Sequence, residues 1–329
     1  MVKPVKSFLK YVTINQNLPI GQYLSRKRGF FMYKIITDSA CDIMKVYLDR
    51  HHADLVPLYV TFDGESYIKE QIEIGYDEFY DKMINEGAYP KSSLPSVQDY
   101  IDAFMPYVES KTPVIAITIT TLFSGSYNSA CTARDTILED YPDAEITVIN
   151  SLQNSASMSL YVYEAIRMQE NGVSYEDCIR VLNEMKAPGR IFFTVESLEY
   201  LQKGGRLGKL ATTITSKLSI RPLIIMKNGA ISVGGISRTR NKAKANVIDV
   251  VRKHIADNHI DINNYDFTVG YCTNPEEAVE FRKNVEESLG VKLIESSEEF
   301  NTRIGVVTAC HTGPYALGIA CMPKYESLL

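Results

Sequence analysis

Val114-Ile115-Ala116-Ile117, followed by Leu122-Phe123-Ser124-Gly125-Ser126, is the stretch on which the fold turns. The apolar run reads as a strand, and the small residues beyond it stand just before a periodic, helix-like segment. Earlier in the chain, Lys91-Ser92-Ser93-Leu94-Pro95-Ser96 likewise sets hydroxyl residues ahead of a helical pattern. Backbone N–H groups at a helix start are unpaired and carry partial positive charge. Hydroxyls and amides together can therefore receive a phosphate or a carboxylate without a lysine or arginine in contact.

Working outward, the chain from Met32 alternates short apolar strands with amphipathic helices. Strands are expected at 33–37, 55–62, 114–119 and 145–149, and helices at 76–85, 96–109, 124–139 and 155–168. Ser96 and Asp99 have the spacing of a capping box. This alternation implies a mainly parallel sheet covered on both faces, an α/β/α domain over residues 32–170 that carries the hydroxyl-rich site. Beyond it, a helix capped by Ser174 and Asp177 leads to a strand at 190–194 and the glycine-rich Lys203-Gly204-Gly205-Arg206-Leu207-Gly208. Segments 219–226 and 230–234 flank Asn228-Gly229, a strong hairpin signal. A helix at 239–258, a strand at 266–271 and a helix opened by Asn274-Pro275 follow. Residues 304–308 read as a strand ending near His311, with Pro314 opening a helix. The second region, 171–329, is thus expected as a two-layer α/β domain with a mixed sheet.

Composition narrows the function. The 329 residues are 45% hydrophobic and 23% charged, ordinary for a globular chain of about two domains. A net charge of −5 argues against general nucleic-acid binding, and no apolar run is long enough for stable membrane insertion. The six cysteines form no CxxC pair and read as reduced thiols of a cytoplasmic protein, with no metal site. Residues 1–31 hold six basic side chains and no acid, and are expected as a disordered basic extension. Gly204 to Lys209 is one residue too short for a P-loop, and Leu210 stands where a magnesium-binding hydroxyl belongs. Ser124 lacks the Gly-x-Ser-x-Gly setting of a hydrolase elbow, although Ser124 with His311 could still act as nucleophile and base in an acyl hydrolase.

In order, Ile36-Thr37-Asp38-Ser39, Lys91 to Ser96, Phe123-Ser124-Gly125-Ser126, Leu198 to Leu201 with Gly204-Gly205-Arg206-Leu207, Ile220-Arg221-Pro222, and His311-Thr312-Gly313-Pro314 with Ala316-Leu317-Gly318 resemble the DegV family of fatty-acid-binding proteins. The resemblance covers residues 32–329. It implies a non-catalytic carrier, without cofactor or metal, that holds a long-chain fatty acid between its two domains. It also implies a partner, a bacterial fatty acid kinase that phosphorylates the bound carboxylate for phospholipid synthesis. On this resemblance the head group meets Ser92, Ser93, Ser124, Gly125 and His311, with Arg206 a head-group or partner contact. The family usually has Thr-Ser-Gln-Pro-Ser where this chain has Ser92-Ser93-Leu94-Pro95-Ser96; serine keeps the hydroxyl donor, whereas Leu94 removes an amide. Taken singly, Ser92, Ser96 and Ser124 also fit helix caps, and Arg206 fits a cap or an acid pair.

Overall fold

The computed structural model describes residues 32–207, 220–294, 300 and 302–329. The N-terminal extension, the start of the expected strand at 219 and the tail of the glycine-rich run from Gly208 lie outside the described residues. The first half comprises, in chain order, β1 (Lys34–Asp38), α1 (Lys45–Arg50), β2 (Asp54–Val56), β3 (Tyr59–Thr61), β4 (Ile68–Lys69), α2 (Tyr76–Asn85), β5 (Lys91–Ser93), α3 (Val97–Glu109), β6 (Val114–Thr118), α4 (Ser126–Asp140), β7 (Ile146–Asn150) and α5 (Ser155–Glu170). The strands β2-β1-β6-β7 pair in parallel, and β4-β3-β5 form a small antiparallel sheet. Apolar residues alternate across the parallel sheet. Ile36, Val114 and Ala116 pack with Tyr100 and Phe104 of α3, while Ile35, Ile115 and Ile117 face the cluster that contains α5.

The second half adds α6 (Tyr175–Met185), β8 (Arg190–Thr194), α7 (Glu199–Lys203), β9 (Arg221–Lys227), β10 (Ala230–Ser237), α8 (Arg240–Asp257), β11 (Tyr265–Tyr271), α9 (Pro275–Leu289), α10 (Val306–Thr312) and β12 (Leu317–Pro323). Its sheet, β10-β9-β8-β12-β11, pairs antiparallel at every named ladder. The mixed character read from sequence is confined to isolated parallel bridges from Phe267 to Leu293 and from Tyr271 to Arg303. Helices α8 and α9 cover one face through Val247, Val251, Phe281 and Val285. The other face turns toward α5, which lies between the two sheets and is buried almost all round. Among the described residues no helix is long and apolar enough to cross a membrane.

Several local signals act as expected. Ser96 and Asp99 form a full capping box, Ser174 and Asn274 cap α6 and α9, and Pro275 opens α9. Asn228 and Gly229 take φ of 51° and 78°, as a tight hairpin turn requires. Four expectations are corrected. The strand at 55–62 is broken at Pro57, which has no N–H for a ladder, so its two halves join different sheets. Ser92 and Ser93 do not precede a helix directly, because Lys91–Ser93 pairs with β3. The β-branched run at 304–308 enters helix α10 with Gly305 as N-cap, and the segment after Pro314 becomes the fully buried strand β12. Burial and capping override intrinsic preference there.

Candidate functional site

The small sheet and α10 bring together two residues far apart in sequence. Ser92 on β5 is set by the pairing of Val60 with Ser92, and His311 sits in the last turn of α10. His311 Nε2 lies 2.8 Å from Ser92 Oγ. The ring can approach because residue 204 is glycine: a Cβ there would lie 2.1 Å from His311 Nδ1. Ser124 occupies the turn between β6 and α4, and its Oγ accepts the Ser126 N–H at 3.2 Å. Arg206 donates from Nε to Phe123 O at 3.1 Å and from Nη1 to Gly204 O at 2.7 Å. It thereby ties the end of α7 to the Ser124 turn, the capping role rather than an acid pair.

Ser92, Ser93, Ser124, Arg206 and His311 all line one cavity of about 160 Å³. Gly125 stands just outside its wall as the N-cap of α4, facing the Leu94 side chain. Away from these groups the wall is mainly apolar, with Asn154, Ser155, Thr308 and Thr312 as further polar residues. Leu58, Ile119 and Phe123 come from the side of the parallel sheet, and Ile191, Met226 and Ile231 from the antiparallel one. The cavity thus lies where the two sheets face each other, with a mainly apolar wall and the Ser92–His311 pair among its polar groups.

Electrostatics at the Ser92–His311 pair follow from burial. His311 is pushed down to about 4, first by desolvation and then by the Arg206 charge, so the ring is neutral near pH 7. Its Nδ1 is buried without a partner. With Nε2–H donating to Ser92 Oγ, a tautomer we assign from the hydrogen bonding, the serine proton is free to donate into the cavity. The base therefore contacts Ser92, not Ser124, and among the described residues no carboxylate orients its other nitrogen. Nor is any group of three or more His, Cys, Asp or Glu among the described residues placed to hold a metal ion.

Two sets of residues escaped the sequence reading. The apolar wall did so because lining and core side chains look alike. The other set is a buried carboxyl group cluster beside the cavity. Asp38 Oδ2 accepts from Ile119 N at 2.9 Å and Ser126 Oγ at 2.7 Å, Asp42 accepts from the cavity-lining Ser155, and Glu70 accepts from Ser39 Oγ at 2.5 Å. Burial pushes Asp38 up to about 6 and Glu70 up to about 7, and holds Asp42 well above the ordinary range. For Asp38 and Asp42 the signal is their place at and just past the carboxyl end of the parallel strand β1, where α/β proteins put polar sites. Glu70 carries no such local signal.

A cavity between a parallel and an antiparallel sheet, reached by side chains from the loops of both, places the molecule among α/β proteins with an interior binding pocket. More narrowly, the chain belongs to the DegV family, whose model, described as "Uncharacterised protein, DegV family", matches residues 32–324. A DegV domain-containing protein of Clostridium acetobutylicum is 32% identical over 87% of this chain and 96% of its own. A fat acid (stearic acid)-binding protein from Eubacterium ventriosum has a structure similar to this one, with 49% identity and a TM-score of 0.85 over 90% of this chain and 99% of that one. DegV of Bacillus subtilis, described as a fatty acid binding protein, is 26% identical with a TM-score of 0.76 over 90% of this chain and 100% of that one.

Proposed function

We propose that this protein binds a long-chain fatty acid in the cavity between residues 32–170 and 171–329, with the carboxylate at Ser92, Ser93, Ser124 and His311. The observation that carries the reading is the Ser92–His311 pair in the wall of a mainly apolar cavity. The Eubacterium ventriosum relative, described as binding stearic acid, supports the choice of ligand. Each buried methylene of an acyl chain contributes about 0.8 kcal/mol, whereas a charge-assisted hydrogen bond contributes roughly 1.5 to 3 kcal/mol. The tail therefore supplies most of the affinity, and the hydroxyls select a carboxylate and fix its register. Mass spectrometry of lipid extracted from the purified protein tests this directly. A long-chain fatty acid near one per chain is expected; absence of any lipid, together with no uptake of added stearate, overturns it.

The same reading makes the protein a non-catalytic carrier that presents the carboxylate to a separate fatty acid kinase for acyl phosphate formation. Arg206 stands beside the head-group residues and holds the Ser124 turn, which suits it to orient the head group or meet that partner. Reconstitution with a fatty acid kinase and ATP checks this: acyl phosphate should form only when this protein is present. The competing hydrolase reading draws little support, since the imidazole pairs with Ser92 and no acid aligns it.

A further inference from the structure

Gly305 is the N-cap of α10 and offers no side chain to the amides of the first turn. Glu70, which follows β4, takes that place: its Oε1 accepts the Val307 N–H at 3.2 Å. The approach is close. A Cβ on Gly305 would lie 2.6 Å from Glu70 Oε1 and 2.5 Å from Asp42 Oδ1, so only glycine lets both carboxyl groups in. Val307 and His311 are one helical turn apart, and both line the cavity. What fixes the Val307 amide therefore fixes the face of α10 that carries the imidazole.

The other end of Glu70 reaches the second partner of the pair. Its Oε2 accepts from Ser39 Oγ at 2.5 Å, and that hydroxyl accepts the Leu58 N–H at 2.9 Å. The Glu70 N–H donates in turn to Leu58 O at 3.0 Å. Leu58 leads into β3, on which β5 and Ser92 are paired. Glu70 is fully buried, and a buried carboxyl group is costly to keep.

We propose that Glu70 is a positioning residue for the head-group site: it clamps the start of α10 and the approach to β3, and so holds His311 against Ser92. The inference rests on the proposed function only in taking those two residues to meet the carboxylate. It is tested in the full chain with ring nitrogens of histidine labelled for NMR and with stearate affinity measured in parallel. Glu70→Ala is expected to shift the His311 ring signals and to weaken stearate binding by about tenfold. Glu70→Gln, which keeps an oxygen acceptor for Val307 N–H, should restore both. In a His311→Gln background the Glu70→Ala loss should largely vanish.

Unchanged ring signals in Glu70→Ala, or an equal loss of affinity with and without His311, would overturn the proposal. If Glu70→Ala does not fold, Gly305→Ala gives the same readout, because its Cβ would push Glu70 off the Val307 amide; there too, an undisturbed His311 ring refutes the clamp. Failure of the wild type to bind stearate would refute the functional reading alone, since the ring signals report the Ser92–His311 contact without ligand.

Discussion

Ser92 and Ser124 gain a role only from what surrounds them. Ser92 Oγ is held by His311, and Ser124 Oγ by the first amide of α4, which leaves both hydroxyl protons available to an anion in the cavity. Replacing both by alanine should weaken fatty acid binding by roughly 2 to 5 kcal/mol with the fold intact, read by titration calorimetry alongside circular dichroism. A carboxylate beside His311 opposes the burial and the Arg206 charge that hold the ring down at about 4. Its pKa therefore rises on binding, protons are taken up, and affinity falls as pH rises through the ligand-bound value. Affinities across the acid-to-neutral range for wild type and His311→Gln check this; a pH dependence that persists in the variant shows another group to be responsible. A fluorophosphonate probe separates carrier from hydrolase at the same residues. No labelling of Ser124 is expected, and labelling that disappears in His311→Ala would favour the hydrolase.

Among the elements, the β9–β10 hairpin shows how a local signal acquires a tertiary use. Asn228-Gly229 was legible as a turn, but nothing local says that its tip docks on the loop after β6. A Cβ on Gly229 would lie 2.3 Å from Thr120 Oγ1, and φ there is 78°. Gly229→Ala meets both the conformational and the steric penalty, so a loss above about 1 kcal/mol is expected in denaturant unfolding. By contrast, α10 was misread because Ile304, Val306, Val307 and Thr308 are β-branched. Its first turn is capped by Glu70, distant in sequence, which no window along the chain contains.

For the whole molecule, the buried carboxyl groups make stability depend on pH in an unusual direction. Burial pushes Glu70 from the ordinary 4.5 of a glutamate up to about 7 in the fold, so between those limits the native state binds more protons than the unfolded chain. Stability therefore falls as pH rises through that window, by on the order of 3 kcal/mol if Glu70 acts alone. His311 and His254, both pushed down to about 4, act oppositely and equally in wild type and variant. The difference between wild type and Glu70→Gln reports Glu70 together with Asp42, whose carboxyl the Glu70 charge also raises, and urea melts at pH 5 and pH 8 should show a flatter profile in the variant. The sequence alone determined most of the strands and helices, the caps at Ser96, Ser174 and Asn274, the Asn-Gly hairpin and the order of the hydroxyl motifs, because each is encoded by neighbours within a few turns of chain. Only the tertiary structure decided that His311 meets Ser92 across 219 residues, that α10 is a helix, and which apolar side chains line a cavity and which fill a core. Those outcomes depend on which surfaces two sheets bury against each other, a free energy summed over distant segments and not carried by any one of them.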